Sequence, residues 1–215
     1  MAERPSAALV DDDEAILDSV QHYLRRRGFT VSCFRAAKPL LDVLDAGTEF
    51  DCVVTDVRMP GISGLALQQT LAKRTCLLPV IMITGHGDID MAVSAIKAGA
   101  FEFIEKPIDD RRLAASINEA IRRTKDKMAD ERELADLQAR YAELSDRQRQ
   151  VMDLAIQGFS NKEIAASLGI SPRTVEHYRE SAMERMQATR LAELVYMAVR
   201  HKRYATAAER ERRPS

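Results

Sequence analysis

Residues 52–61 read CVVTDVRMPG. A short run of apolar and β-branched residues ends in one aspartate, and a turn built on Met-Pro-Gly follows at once. Such a run reads as a strand covered on both faces, and a carboxylate at its end is expensive to hold near a hydrophobic core unless a partner or a chemical task accounts for it. The same pattern recurs through the first 120 residues. AALV (7–10), FTVSCF (29–34), PVIMIT (79–84) and FEFI (101–104) are further strand-like runs, mostly continuous in hydrophobicity. Amphipathic stretches separate them; the clearest carries Ile16, Leu17, Val20, Tyr23 and Leu24 and is closed by Gly28. Five strand-helix alternations predict an α/β fold with a doubly wound, five-stranded parallel sheet.

In such a sheet ligands sit outside the carboxyl ends of the strands. The first strand runs into Asp11 and Asp12, the third into Asp56, the fourth into Thr84 and the fifth into Glu105-Lys106-Pro107. Three carboxylates, a hydroxyl and an ammonium are therefore expected at one edge. Carboxylates so crowded repel by several kcal/mol at an effective dielectric of about 20, so they need a cation. A hard, oxygen-preferring divalent ion is the natural one, and Mg²⁺ suits because it takes few protein ligands and leaves water or phosphate oxygens to complete its shell. Pro60 and Gly61 bend the chain away beyond Asp56, which should leave that carboxylate open to a partner. Asp13 and Glu14 read as first-turn residues favoured by the helix dipole. His86, alone in a glycine-flanked loop, is given no chemistry.

Charge is unevenly spread. Residues 1–120 hold 13 Lys/Arg against 18 Asp/Glu, a net −5, and residues 121–215 hold 19 against 15, a net +4. Different partners for the two halves follow. No apolar run approaches the ~20 residues of a membrane span, and the first residues lack a signal-peptide core, so a cytoplasmic protein without a membrane partner is expected. Cys33, Cys52 and Cys76 are widely spaced in apolar surroundings and read as reduced core thiols.

From Ile117 to Leu144 neither Gly nor Pro intervenes, and a continuous helix is predicted. Leu134, Leu137, Tyr141 and Leu144 follow 3-4-3 spacing, either a short coiled-coil seam or a face packed on its own domain. Residues 145–200 are helical in pattern, and Thr189 to Val199 reads as a fourth helix with Leu191, Leu194, Val195 and Ala198 facing the core. Ser145 with Gln148 and Ser160 with Glu163 each fit a capping box, and Ser171-Pro172 places a cap before Pro at the first helical position. Beyond Arg203 little can be buried, and a disordered tail is expected.

VDDDE, TDVRMPG, ITGHGD and FIEKP together resemble the receiver domain of bacterial two-component response regulators, and TGHGD with the later helices resembles the FixJ subfamily. LSDRQRQVMDLAIQGFSNKEIAASLGISPRTVEHYRESAMERMQ resembles the LuxR/FixJ-type helix-turn-helix. The resemblance implies a receiver over 5–121, a helical linker over 122–143, a DNA-binding domain over 144–203 and a tail over 204–215. It implies that Asp56 accepts a phosphoryl group from a sensor histidine kinase. It also implies that Asp12 binds Mg²⁺ directly, that Asp11 does so through water, that the Arg58 carbonyl adds a ligand, and that Lys106 and Thr84 contact the phosphoryl oxygens. Phe103 matches the family's switch aromatic. Charge-assisted hydrogen bonds of roughly 1.5–3 kcal/mol each and burial of a ring worth roughly 1.5–3 kcal/mol are comparable to the ~5.5 kcal/mol that inverts a 1:99 equilibrium.

In the second half Val175, Ala182, Met183 and Met186 recur at helical spacing and belong to the core side of the recognition helix. Arg173, Arg179 and Lys162 are candidate phosphate contacts, Asn161 and Thr174 neutral donors, and Glu176 and His177 base readers, with Glu180 facing outward beside them. A weakly basic domain should bind DNA feebly as one copy, so a homodimer on promoter DNA, formed on phosphorylation, is the expected control point. The expected function is a DNA-binding regulator that activates transcription, with RNA polymerase as a further expected partner. Two other classes fit the sequence less well. An aspartate-nucleophile phosphatase would need a second acid where Arg58 stands, so no enzyme is expected; a scaffold without DNA binding would not need the Arg173/Arg179 helix.

Overall fold

The structure, a computed structural model, describes residues 4–74, 77–85, 89–190, 192–194 and 196–197. Cys76, His86, Leu191, Val195, Ala198 and the tail from 204 lie outside the described residues. The chain forms two compact units, Met1–Met128 and Ala129–Ser215.

The first unit alternates β1 (Ser6–Val10), α1 (Glu14–Arg26), β2 (Thr30–Phe34), α2 (Ala37–Asp45), β3 (Cys52–Asp56), α3 (Gly64–Ala72), β4 (Val80–Thr84), α4 (Ile89–Lys97), β5 (Glu102–Glu105) and the start of α5 (Asp110–Ala142). All five strands are parallel, in the order β2-β1-β3-β4-β5. The sheet is the one the alternation predicts. Every residue of β3 and β4 is buried, because helices cover both faces and leave no solvent side for polar alternation. Period two appears instead as a division between two cores. Leu9, Val31, Val54, Ile81, Ile83 and Ile104 pack with Leu17, Val20 and Leu24 of α1 and with Leu113 and Ile117 of α5. Ala8, Val10, Val53, Val80 and Met82 pack on the other face with Leu40 of α2, Leu67 and Leu71 of α3 and Ala95 of α4.

The strand order reverses at β1, which has β2 on one side and β3 on the other. A crevice opens there, because successive crossovers leave the sheet's carboxyl edge in opposite directions. Asp11 follows β1, and Asp56 is the last residue of β3, paired in register with Ile83. The switch point thus receives both carboxylates.

The helix expected from Ile117 begins earlier, at Asp110. The Asp109 carboxylate accepts from the amides of Arg111 and Arg112 at 2.9 and 3.2 Å, a start signal that apolar spacing alone does not reveal. No residue of α5 from Arg122 to Glu133 is buried. Residues at either end are.

The second unit holds the end of α5 with α6 (Asp146–Ile156), α7 (Asn161–Leu168) and α8 (Pro172–Met186). Leu137 and Leu144, with half-buried Tyr141, pack against Met152, Ala182, Met186, Ala188 and Leu194. The 3-4-3 seam is therefore used within this unit's own core. The division between units falls at Met128, inside the stretch read as a linker. A second cluster, Val151, Ala155, Ile164, Ala165 and Val175, joins α6, α7 and α8. Both capping boxes form, and the Ser171 side chain accepts from the Thr174 amide ahead of Pro172 at the first helical turn.

Candidate functional site

Lys106 gathers the first site. It follows β5 directly, and its Nζ donates to Asp11 Oδ2 at 2.9 Å and stands 2.8 Å from Asp56 Oδ1. Asp11 is 2% exposed and Asp56 6%. Each carboxylate is anchored by its other oxygen: Asp11 Oδ1 accepts from the Asp13 amide at 2.9 Å, and Asp56 Oδ2 accepts from the Arg58 amide at 2.8 Å. Asp56 is thus less open than the Met-Pro-Gly turn suggests, since both of its oxygens are engaged. Burial pulls the Lys106 ammonium toward its neutral form, but hydrogen bonds and charge from Asp56 and Asp11 outweigh that, and its pKa lies above the ordinary 10.5. Two buried carboxylates thus share one ammonium.

Thr84 ends β4, is 1% exposed, and pairs in register with Glu105, the residue before Lys106. Phe103 sits two strand positions earlier, opposite Met82, half-buried against the core on the α2–α4 face. Asp12 is exposed beside Asp11, and Asp13 is the N-cap of α1, accepting from the amides of Ala15 and Ile16. A groove of about 460 Å³ adjoins Asp56, lined by Val57, Arg58, Met59, Pro60, Ser63 and Leu65.

Among the described residues no three His, Cys, Asp or Glu side chains are gathered to cage a metal ion. The donors that do stand together suit a different kind of site. They are carboxylate oxygens with net negative charge at a sheet edge, and a hard cation that keeps much of its water shell needs no more than one or two of them. Mg²⁺ fits that chemistry.

Glycine is required beside Asp56. A Cβ on Gly64 would lie 2.2 Å from the Asp56 carbonyl oxygen, so α3 can begin this close to the end of β3 only without a side chain. The Gly64 amide donates to the Val57 carbonyl at 3.0 Å across the same approach.

The candidate DNA-facing residues lie on α7 and α8. Arg173, Glu176, His177, Glu180 and Lys162 are exposed, whereas Thr174, Arg179 and Asn161 are half-buried. Val175, Ala182 and Met186 are buried, with Met183 packed beside them, so the core side of α8 is the one read from its spacing. Tyr178 packs inward with Val175 and Ile164.

Two protein families divide the chain in the same way. Residues 7–118 match the response regulator receiver domain, and residues 142–198 match the bacterial regulatory proteins of the luxR family. The transcriptional regulatory protein FixJ of Bradyrhizobium diazoefficiens is 46% identical over 89% of this chain and 93% of its own. The chain belongs to the two-component response regulators. This response regulator is also similar to the solved response regulator StyR, 35% identical with a TM-score of 0.78 over 91% of this chain and 98% of that one. Full-length FixJ from B. japonicum matches at 44% identity and a TM-score of 0.60, covering 94% and 98%. Its receiver implies a histidine kinase as partner and its luxR-family domain implies DNA. No helix among the described residues is long and apolar enough to cross a membrane.

Three features of the regulator were not read from sequence. Gly64 carried a usable signal, a glycine at the first helical position after Ser63, but only the approach to Asp56 explains it. Gln148 does more than cap α6: its Nε2 donates to Ser181 Oγ at 2.7 Å while its Oε1 accepts from the Ser145 amide, which ties the start of α6 to α8. Asp51 accepts from the amide and hydroxyl of Ser6 at 2.8 and 3.0 Å and pairs with Lys125 of α5 at 3.2 Å. Partners 45 and 74 residues away leave no local trace.

Proposed function

We propose that Asp56 is the phosphoacceptor of this regulator and that a sensor histidine kinase is the donor. The observation that carries the reading is Lys106 bridging Asp11 and Asp56 at the switch point of the sheet. An Asp56 oxygen attacks the phosphorus of a phosphohistidine, the P–N bond breaks, and its electron pair returns to the imidazole nitrogen, which is protonated from solvent. Asp11, Asp12, Asp56 and the Arg58 carbonyl would hold Mg²⁺, which when bound supplies positive charge to the transferring phosphoryl oxygens. Lys106 then exchanges a carboxylate partner for a phosphoryl oxygen, and the Thr84 hydroxyl gains another. Phe103, half-buried on β5 beside the strand that ends in Thr84, is the ring whose packing follows Thr84.

The readout is pairing. Val93 and Ile96 are exposed large apolar residues one turn apart on α4. The face formed by α4, β5 and the first part of α5, residues 88–122, is assigned as the homodimer surface, and two helix-turn-helix units then sit on adjacent half-sites of promoter DNA. Arg173, Arg179 and Lys162 serve phosphates, with Thr174 as a neutral donor and Asn161 beside Arg179. Glu176 and His177 face the bases, with Glu180 outward beside them. Bound in this way the dimer activates transcription and presents itself to RNA polymerase in the cytoplasm. Arg58, standing where a phosphatase of this chemistry needs a second acid, supports a switch rather than an enzyme.

The test is direct. Full-length protein incubated with Mg²⁺ and acetyl phosphate should gain one acid-stable, base-labile phosphoryl group, and Asp56→Ala should abolish it. A label that persists in Asp56→Ala removes Asp56 from the role.

A further inference from the structure

Arg179 does not project freely from the recognition helix. Its Nη1 donates to Asn161 Oδ1 at 2.5 Å, joining the eighth residue of α8 to the first residue of α7, and both side chains are half-buried. We propose that Asn161 is a positioning residue for Arg179: its neutral amide oxygen aims the guanidinium at a DNA phosphate without neutralising it. The inference rests on the reading of Arg179 as a phosphate contact and adds what holds it in place.

The chemistry of the acceptor decides the matter. A guanidinium has five N–H donors in a planar fork, so one bond to Asn161 leaves four for a phosphate. A carboxylate in the same place would orient the fork equally well but would cancel the charge that displaces counterions from DNA. An amide orients and leaves the charge. The other candidate donors differ: Arg173 and Lys162 are exposed, and the Thr174 hydroxyl lies 2.7 Å from Ser171 Oγ at the cap of α8. Arg179 is therefore the candidate cation on α8 whose geometry is fixed before DNA arrives, which spares its ordering on binding. Asn161 acts through it rather than as an independent donor.

Binding of full-length protein to a random-sequence duplex of about 30 base pairs, followed by fluorescence anisotropy across a salt series, tests this, since the phosphate term is independent of sequence. Arg179→Ala should weaken binding about tenfold and reduce the slope of log K against log salt by about one. Asn161→Ala should weaken binding about threefold in the wild-type background and not at all beside Arg179→Ala, whereas an independent donor would give losses that multiply. Asn161→Asp, which should fold at least as stably with an acid in the first turn of α7, should lower the slope by about one although Arg179 is present. An unchanged slope in Arg179→Ala overturns the phosphate reading itself. Multiplying losses in the cycle, or a wild-type slope in Asn161→Asp, overturns the positioning role while leaving DNA binding by the domain intact. Thermal unfolding of each variant identifies any that fail to fold.

Discussion

The two units hold their functional residues in opposite ways. In the receiver unit the acidic pair is buried, Asp11 and Asp56 being shielded at the sheet edge and compensated by one ammonium. In the DNA-binding unit most candidates stand on an exposed helix surface, and the polar bonds of the unit go mainly to caps. A buried charge must be matched in the free protein, so the receiver's site is assembled before any ligand arrives. An exposed one need not be, since water serves it until DNA does. The receiver should therefore lose stability when its site is changed, and the other unit should lose binding and keep its fold.

The largest effect that sharpens this contrast is expected at Lys106. Lys106→Met leaves two buried carboxylates uncompensated and should destabilise the receiver by about 3 kcal/mol in urea unfolding, with much of the loss recovered by adding Asp56→Asn. Because the Lys106 pKa is raised on folding, its contribution is complete below 10.5 and is lost only as pH climbs through the higher folded value. An equal loss at Arg173, exposed on α8, would break the contrast.

Gly64→Ala should cost roughly 2–3 kcal/mol, since a Cβ 2.2 Å from the Asp56 carbonyl forces α3 away from β3. Slower phosphorylation by acetyl phosphate should accompany it, as the Asp56 backbone shifts. Leu137→Ala should cost about 2–3 kcal/mol in the unfolding of the second unit and leave that of the receiver unchanged, because Leu137 packs with Met152 and Met186. A receiver-only effect would show that the end of α5 belongs elsewhere.

Smaller still is Asp51. Burial alone would raise its pKa, but hydrogen bonds from the Ser6 amide and hydroxyl and from Lys125 hold it below the ordinary 3.8. Its contribution, about 1 kcal/mol, is present above pH 3.8 and disappears as pH falls through the depressed folded value. The stability gap between wild type and Asp51→Ala should be flat from pH 7 to 4 and close below. At the lower end, Ser160→Ala should cost about 1 kcal/mol through loss of the α7 cap.

Much of the receiver was legible because burial on both faces writes itself into composition. The five runs from AALV to FEFI could be covered on both sides only in a parallel sheet, and the rule that ligands gather at carboxyl ends pointed to Asp11, Asp56, Thr84 and Lys106. The caps of α6, α7 and α8 were equally plain, since Ser145, Ser160 and Ser171 act on amides three residues away. The start of α5 was missed because Asp109 caps a segment whose apolar pattern only becomes regular further on. The seam at Leu137 and Leu144 was ambiguous for a different reason: 3-4-3 spacing serves a partner helix or the chain's own core alike.

Sequence alone determined the strands, most of the helical stretches, the caps of α6, α7 and α8 and the edge of the sheet where charge would collect, because each follows from periodicity or from contacts within a few residues. Tertiary structure decided which oxygens Lys106 takes, that Gly64 must have no side chain, that the end of α5 joins the second core, and that Asn161 holds Arg179. Those depend on groups distant in the chain meeting at hydrogen-bond or van der Waals range, and no local pattern records a distance across the fold.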